Sequence, residues 1–179
     1  MTPRFLQAIP YVLQHEGGLN NEKNDSGQIT NMGISLSFIQ SIHDDVNHDG
    51  KVDSNDIITL TLQEAEDIYF NNFWRPAYDV LPARVAIKVF DVAVNTGVGR
   101  ANMFLQKSLN ALGSNIGVDG LLGQQTINEC NKYTDVQILT EYCSIQKAYY
   151  EAIVANNPSQ SIFLNGWISR SEFVPPITA

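Results

Sequence analysis

Three side chains near the N-terminus are of the types that cleave glycosidic bonds. Glu16 stands before Gly17-Gly18, and Asp25 and Thr30 follow nine and fourteen residues later. Such hydrolysis needs a carboxylic acid that protonates the leaving oxygen, and commonly a second carboxylate for a water molecule or for positive charge on the sugar. We expect Glu16 to be the general acid, Asp25 to orient water or stabilise that charge, and Thr30 to hold the water. From these residues alone, a solvated helix end and a simple turn are the alternatives.

The segment before Glu16 predicts an amphipathic helix that ends at the two glycines. Its apolar residues recur at helical spacing, at Phe5, Ile9, Val12 and Leu13. Pro10 predicts a bend within this helix, and glycine commonly follows a helix end. The negative end of the helix dipole disfavours ionisation of Glu16, which suits an acid that must stay protonated. The polar, glycine-rich residues 17–34 predict a loop or short β-hairpin that could bring the three side chains to one cleft.

A second group of chemistry-bearing residues lies in an acidic stretch over residues 44–56. Residues 45–56 match the EF-hand loop pattern, in which oxygen ligands alternate along the loop and glycine makes the sharp turn. The predicted ligands are Asp45, Asn47, Asp49, Lys51, Asp53 and Asp56. Lys51 would contribute its main-chain carbonyl, and Asp56 stands where EF-hands usually carry Glu. We expect a structural Ca²⁺ that orders these repelling carboxylates; an ordinary solvated acidic turn is the alternative.

The rest of the chain predicts a mainly α fold. A capping box, Thr61 with Glu64, opens a helix that runs to Trp74, and residues 80–95 form a helix that is apolar nearly all round and therefore central. Further helices are predicted at residues 35–42, 101–112, 124–131 and 136–153, with a helical patch around 163–169.

Three residues on these helices are candidate sugar-binding groups. Asp91 and Asn95 are four residues apart on the central helix and so share a face. They could form a polar pair in the core, or Asn95 could reach the cleft and bind sugar. Trp74 and Tyr69 could stack on sugar rings, and core packing is the alternative for Trp74.

Composition excludes several classes of protein. The net charge of −8 over 179 residues argues against a nucleic-acid partner, which requires basic stripes. No apolar run approaches the roughly 20 residues of a bilayer span, so no stable membrane insertion is expected. Residues 1–10 lack a long apolar signal region, so we expect cytoplasmic synthesis without a signal peptide. Cys130 and Cys143 lack zinc-ligand spacing; two buried thiols and a single disulfide both stay open.

Motifs along nearly the whole chain agree with one family. They are EGG at 16–18, DSG at 25–27, TNMGI at 30–34, FWRP at 73–76, FDVAVNTG at 90–97, LQ at 105–106, VDGLLGQQT at 118–126 and FLNGWISR at 163–170. Together they resemble glycoside hydrolase family 108, the N-acetylmuramidases of the lysozyme-like superfamily. Leu19 and Gln28 depart from the family, which usually has Tyr and Gly there, and both departures concern the floor of the cleft.

The resemblance implies a mainly α, lysozyme-like fold with a small β-hairpin by the cleft. It implies a catalytic region over residues 1–100 and a helical peptidoglycan-binding region over residues 101–179, packed as one unit. The family's catalytic glutamate maps onto Glu16, and analogy with phage-type lysozymes adds Asp25 and Thr30. The implied reaction is hydrolysis of the β-1,4 bond between N-acetylmuramic acid and N-acetylglucosamine in peptidoglycan glycan strands.

The family also implies a biological setting. This is a phage endolysin or a secretion-associated muramidase, a monomer that acts on the cell wall in the periplasm or outside the cell. Without a signal peptide, a holin-dependent route would deliver it.

Two other functions are compatible with parts of the sequence. The first is a non-catalytic, calcium-stabilised peptidoglycan-binding or secretion-activator module, against which the intact Glu16, Asp25 and Thr30 argue. The second is a calcium-responsive regulator built around residues 45–56, against which the presence of a single EF-hand loop argues.

Overall fold

The computed structural model of the chain describes residues 1–14 in full, the backbone of residues 15 and 16, and residues 29–176. It divides into two compact units, one formed by Met1 and Pro3–Asn72, the other by Thr2 and Phe73–Ala179. The described part is mainly helical, with one small sheet, as the sequence predicts. The division into a catalytic region over residues 1–100 and a peptidoglycan-binding region over residues 101–179, which the resemblance implies, stays a prediction.

The first unit begins with helix α1, Pro3–Glu16. Its apolar stripe forms the buried face, at Phe5, Ala8, Ile9 and Val12. Phe5 meets Phe70 edge to face, with ring centroids 5.0 Å apart, a favourable aromatic geometry. Pro10 lies exposed inside the helix, which continues beyond it to Glu16.

A two-stranded antiparallel hairpin follows the undescribed segment. Strand β1, Thr30–Asn31, pairs with strand β2, Ile34–Ser35. Met32 and Gly33 form the two-residue turn, and both have positive φ, 49° and 79°. This is the conformation of the type I′ turn, whose twist matches that of paired strands. Helix α2, Leu36–Ile42, starts directly after the hairpin, with the Ser35 hydroxyl capping it.

Two helices complete the first unit. Helix α3, Ser54–Thr59, begins inside the acidic stretch over residues 44–56, so the loop is shorter than its sequence predicts. Helix α4, Leu62–Phe73, confirms the predicted capping box: the Glu64 carboxylate accepts hydrogen bonds from the Thr61 N–H and hydroxyl, at 2.8 and 2.7 Å. The Glu64 N–H donates back to the Thr61 hydroxyl.

The second unit is built around one buried helix. After a 3-10 turn at Pro76–Val80 come helices α5 (Ala83–Thr96), α6 (Val98–Ala111), α7 (Gln124–Cys130), α8 (Asp135–Asn156) and α9 (Ser161–Glu172). Helix α5 buries residues along most of its length, from Val85 to Ala93. The prediction of a central helix is therefore confirmed. Helices α6 and α8 pack against α5, and α8 also packs against both α6 and α9.

Two global expectations can be compared with this part of the chain. Among the described residues, every helix is too short or too polar to cross a bilayer. Both cysteines are free thiols, Cys130 fully buried at the end of α7 and Cys143 half-buried on α8.

Candidate functional site

The first predicted catalytic residue, Glu16, is the last residue of α1. The helix therefore ends where the sequence predicts, and the backbone of Glu16 lies at the negative end of the helix dipole. The Glu16 side chain and Asp25 lie outside the described residues. Their catalytic roles stay predictions.

The third predicted catalytic residue, Thr30, sits half-buried on a hairpin that its neighbours hold in place. The Asn31 amide donates a hydrogen bond to the Ile57 carbonyl in α3, at 3.0 Å. The Tyr69 hydroxyl donates to the Met32 carbonyl at the turn, at 2.7 Å. Both anchors lie on the two residues that follow Thr30, so together with the tight turn they hold the hairpin backbone next to Thr30.

Two of the three predicted sugar-binding residues are buried. Tyr69 is 1% exposed, and its hydroxyl donates a hydrogen bond to the Met32 carbonyl of the hairpin. Trp74 is 4% exposed, in edge contact with Tyr78 and Phe90 at 5.3 and 5.2 Å. Neither ring presents an open face to a sugar, so the structure supports core packing for Trp74 and hairpin positioning for Tyr69.

The third predicted sugar-binding residue, Asn95, is exposed on the last turn of α5. Its side-chain Oδ1 accepts a hydrogen bond of 2.6 Å from the Tyr150 hydroxyl on α8. Burial raises the pKa of Tyr150, so the phenol stays protonated and remains a donor. Asn95 is thus held by α8 at the surface of the second unit.

Asp91 and Asn95 do not form the polar pair that was one of the two alternatives for them. Asp91 is fully buried and pairs instead with Arg170 of α9, through contacts of 3.0 Å to Oδ1 and 3.3 Å to Oδ2. Arg170 also donates to the Asp91 main-chain carbonyl at 3.2 Å. One turn earlier on α5, the buried Lys88 ammonium donates to the carbonyls of Arg170, Ser171 and Phe173. These bonds fix the C-terminal end of α9 against α5.

Gln106 and Asp119-Gly120, which belong to two of the family motifs, are joined by hydrogen bonds that hold the loop between α6 and α7. Gln106 donates to the Asp119 carboxylate at 2.7 Å and accepts from the Gly120 N–H at 2.8 Å. The Asn102 amide donates to the Gly120 carbonyl at 2.9 Å, and the Asn102 carbonyl oxygen accepts from the Tyr78 hydroxyl. The amide side chains of α6 therefore hold this loop in one conformation.

The acidic loop over residues 45–56 is closed by hydrogen bonds from its own backbone. Asp45 accepts from the N–H groups of Asp49 and Gly50, at 3.1 and 2.8 Å. Asn47 and Asp49 likewise accept from N–H groups two residues further on. Gly50 has φ +90°, which permits the sharp turn that the EF-hand pattern requires at this position.

Asp56, the last predicted ligand, is fully buried. Its two carboxylate oxygens accept from the N–H groups of Asn47 and Asp53, at 3.1 and 2.8 Å. No cationic side chain in the described part of the chain pairs with it, and the amide nitrogen of Asn47 beside it is buried without a partner. Among the described residues, no group of three or more His, Cys, Asp or Glu side chains is arranged to hold a metal ion. The donor set is one of oxygen atoms, which suits Ca²⁺.

Several site-shaping residues could not be inferred from the sequence. Arg170, Lys88 and Arg100 carried no local signal, because each acts on residues distant in the chain or on a neighbouring helix. Arg100 lies with its guanidinium carbon 4.8 Å from the ring centroid of Tyr149.

The fold and these features define a mainly α protein of the lysozyme-like superfamily. The family model described as Glycosyl hydrolase 108 matches residues 9–97, and the model described as Predicted Peptidoglycan domain matches residues 100–172. The chain is also similar to the solved structure of Brucella abortus SagA, with 32% identity and a TM-score of 0.73. That match covers 93% of this chain and 88% of the SagA chain. A comparison with curated proteins gives no match.

The chain therefore belongs to glycosyl hydrolase family 108, and the resemblance stated from its motifs is confirmed. It is a glycosyl hydrolase that acts on peptidoglycan.

Proposed function

We propose that the protein is an N-acetylmuramidase, which hydrolyses the β-1,4 bond between N-acetylmuramic acid and N-acetylglucosamine, with Glu16 as the general acid. Family membership supports the glycosyl hydrolase chemistry and the peptidoglycan substrate. The observation that carries the choice of Glu16 is the end of α1 at this residue. A carboxyl group at a helix C-terminus is disfavoured as an anion, so it can hold the proton that the leaving oxygen needs.

In this proposal Asp25 and Thr30 act on the sugar and on the attacking water, whereas Glu16 acts on the leaving oxygen. Asp25 stabilises positive charge on the sugar or orients the attacking water, and Thr30 holds that water. The anchoring of the hairpin through Asn31 and Met32 supports this role for Thr30, because a water-holding hydroxyl must keep its position.

The test of the bond is end-group analysis of digested peptidoglycan. The purified protein is incubated with peptidoglycan sacculi, and the soluble fragments are reduced with borohydride and examined by mass spectrometry. Fragments that end in reduced N-acetylmuramic acid are expected. Fragments that end in reduced N-acetylglucosamine would identify a glucosaminidase and refute the proposed bond. Binding without any release would support the non-catalytic module instead.

We further propose that residues 45–56 bind a structural Ca²⁺. The residues that would hold it are Asp45, Asn47, Asp49, Lys51 through its carbonyl, Asp53 and Asp56. The observation that supports this is the full burial of Asp56 with two N–H bonds and no cationic side chain from the described residues. A buried carboxylate without a counter-charge is costly, and a bound cation would remove that cost. The carboxylates would have to draw together around the ion.

Thermal unfolding with and without calcium tests the loop. A ligand present at 100 times its dissociation constant stabilises a fold by about 2.7 kcal/mol, so the midpoint should rise by several degrees over the value in chelator. Asp45→Asn should lose most of this rise. The matched control is Asp44→Asn, which changes a neighbouring carboxylate outside the ligand positions. Equal midpoints in calcium and chelator for the unchanged protein would refute the proposal.

Action on peptidoglycan fits a site of action at the cell wall, in the periplasm or outside the cell. Cytoplasmic synthesis without a signal peptide, a holin-dependent route, a phage setting and the monomeric state stay predictions.

A further inference from the structure

A groove of about 360 Å³ opens on the second unit, where the end of α5 and the start of α6 meet α8 and α9. Its volume lies within the roughly 300–1,000 Å³ of small-molecule sites. Its lining combines polar groups with aromatic rings, from Asn95, Thr96, Arg100, Tyr149, Tyr150 and Trp167 among others. None of the lining residues that the structure describes carries a carboxylate.

The guanidinium of Arg100 is the charged group of the groove. It lies over the Tyr149 ring, 4.8 Å from the centroid, and the side chain is exposed. Among the described residues, no Asp or Glu forms an ion pair with it. In a chain with a net charge of −8, this is an uncompensated cation beside a concave surface. Such a guanidinium, already oriented by a ring, suits a carboxylate that it can bind through two N–H groups.

A second polar group of the groove is oriented by the fold. The Tyr150 hydroxyl donates to Asn95 Oδ1 at 2.6 Å, and it accepts from the Gln146 amide at 3.1 Å. Because the Asn95 oxygen is held in this way, its Nδ2 group is what Asn95 offers to a ligand. An amide nitrogen donates to carbonyl oxygens, such as those of acetamido and peptide groups.

The apolar wall of the groove is rigid. Trp167 stacks on Tyr150 with centroids 5.3 Å apart and an interplanar angle of 23°, and Tyr149 contacts Tyr150 at 5.5 Å. Rings fixed by their neighbours lose little conformational entropy when a ligand binds.

We propose that this groove binds the carboxylate-bearing part of peptidoglycan, with Arg100 as the carboxylate anchor and Asn95 as a donor to a neighbouring carbonyl. The inference rests on the proposed function only in taking peptidoglycan as the substrate; it does not depend on which bond is cut. The carboxylate comes either from the stem peptide or from the lactyl group of a peptide-free N-acetylmuramic acid. Charge complementarity favours these over neutral N-acetylglucosamine.

The test is calorimetric titration with N-acetylglucosaminyl-N-acetylmuramoyl tripeptide. This ligand carries stem-peptide carboxylates and lacks the bond that the proposed muramidase cuts. If the stem peptide supplies the carboxylate, Arg100→Gln should raise the dissociation constant of this ligand about fivefold, the effect of losing an exposed ion pair. Lys107→Gln is the matched control, because it removes the same charge from α6 outside the groove, and it should leave the constant unchanged. Arg100→Lys should lie between the two, since it keeps the charge but loses the planar fork.

Two further ligands distinguish the sources of the carboxylate. If the stem peptide supplies it, amidation of the tripeptide carboxylates should weaken binding as much as Arg100→Gln does, and the variant should then have no further effect. If the lactyl group supplies it, the peptide-free disaccharide should bind to the unchanged protein and lose about fivefold in Arg100→Gln.

Equal binding by Arg100→Gln and Lys107→Gln of both the tripeptide and the peptide-free disaccharide would overturn the inference, as would no detectable binding of either acid ligand by the unchanged protein. Because the readout is binding, the two proposals fail separately. Binding that depends on Arg100 without glycan cleavage would contradict the muramidase alone. Cleavage of the predicted bond with binding indifferent to Arg100 would contradict the groove alone.

Discussion

Replacing Asp91 by Asn removes one half of a buried ion pair without changing the size of the side chain. Asp91 is fully buried on α5, and the Arg170 side chain that faces it from α9 is 12% exposed. The carboxylate receives two charge-assisted bonds, at 3.0 and 3.3 Å. Asparagine keeps one side-chain oxygen, and Arg170 keeps its bond to the main-chain carbonyl at residue 91. What is lost is one acceptor and the negative charge of Asp91 itself.

The size of the effect follows from this count. Breaking a buried pair by removal of one partner costs about 3–5 kcal/mol, because the remaining charge is left uncompensated. The retained oxygen and the slight exposure of Arg170 place the expected loss near the lower end, at about 3 kcal/mol. For a chain of this length each kcal/mol lowers the unfolding midpoint by about 2–4 °C, so we expect a drop of about 6–12 °C.

The assay is urea denaturation followed by circular dichroism, with thermal unfolding as a second measurement. Asp135→Asn is the matched control. Its carboxylate contacts Arg84 at the same 3.0 Å, but the two side chains are 14% and 31% exposed, and Arg84 keeps a bond to the Pro175 carbonyl. That variant should lose about 1 kcal/mol or less. Equal losses for the two variants, or a loss below about 1 kcal/mol for Asp91→Asn, would refute the reasoning from burial.

Three further predictions concern other buried groups. Burial raises the pKa of Tyr78, Tyr142 and Tyr150 above the usual 10.0, so the folded state holds phenolic protons that the unfolded state releases. The stability of the fold should therefore fall as pH rises above about 10. The ultraviolet absorbance of the phenolate form of these three tyrosines should appear only when the chain unfolds. Burial raises the pKa of the Cys130 thiol to about 12, so a thiol reagent should modify Cys130 only after denaturation, and Cys143→Ser isolates that signal. Tyr69→Phe removes the hydroxyl bond to the hairpin and should cost about 1 kcal/mol in urea unfolding, whereas an unchanged midpoint would deny the anchoring role.

Local signals in the sequence were good guides to local structure. The end of α1 at Glu16 and the capping box at Thr61 involve residues within a few positions of each other, so their chemistry is visible in the order of residues. The buried helix α5 was predictable for the same reason, because its apolar character surrounds the whole helix. Helix α3 was missed because its capping box, Asp53 with Asp56, uses residues that also fit a calcium loop.

Contacts between distant segments could not be predicted in this way. Asp91 and Asn95 share a face of α5, so their spacing in the sequence made a hydrogen bond between them one of the alternatives. Their actual partners, Arg170 and Tyr150, are 79 and 55 residues away. The role of Lys88 could not be predicted either, because its three carbonyl acceptors lie far away in the sequence, at the end of α9. Tyr69 illustrates the converse, since an aromatic residue suited to sugar stacking turned out to be buried.

The most direct test of the central claim compares the unchanged protein with Glu16→Gln in the release of dye-labelled peptidoglycan fragments. A general acid contributes about 10²–10⁴-fold to a rate, so the variant should lose at least about 100-fold in kcat. Glu151→Gln, which makes the same change at an exposed glutamate of α8, should keep full activity. The account predicts that Glu16→Gln keeps its unfolding midpoint and its binding of the muramoyl tripeptide while turnover is lost. Turnover within tenfold of the unchanged protein would contradict the assignment of Glu16 as the acid.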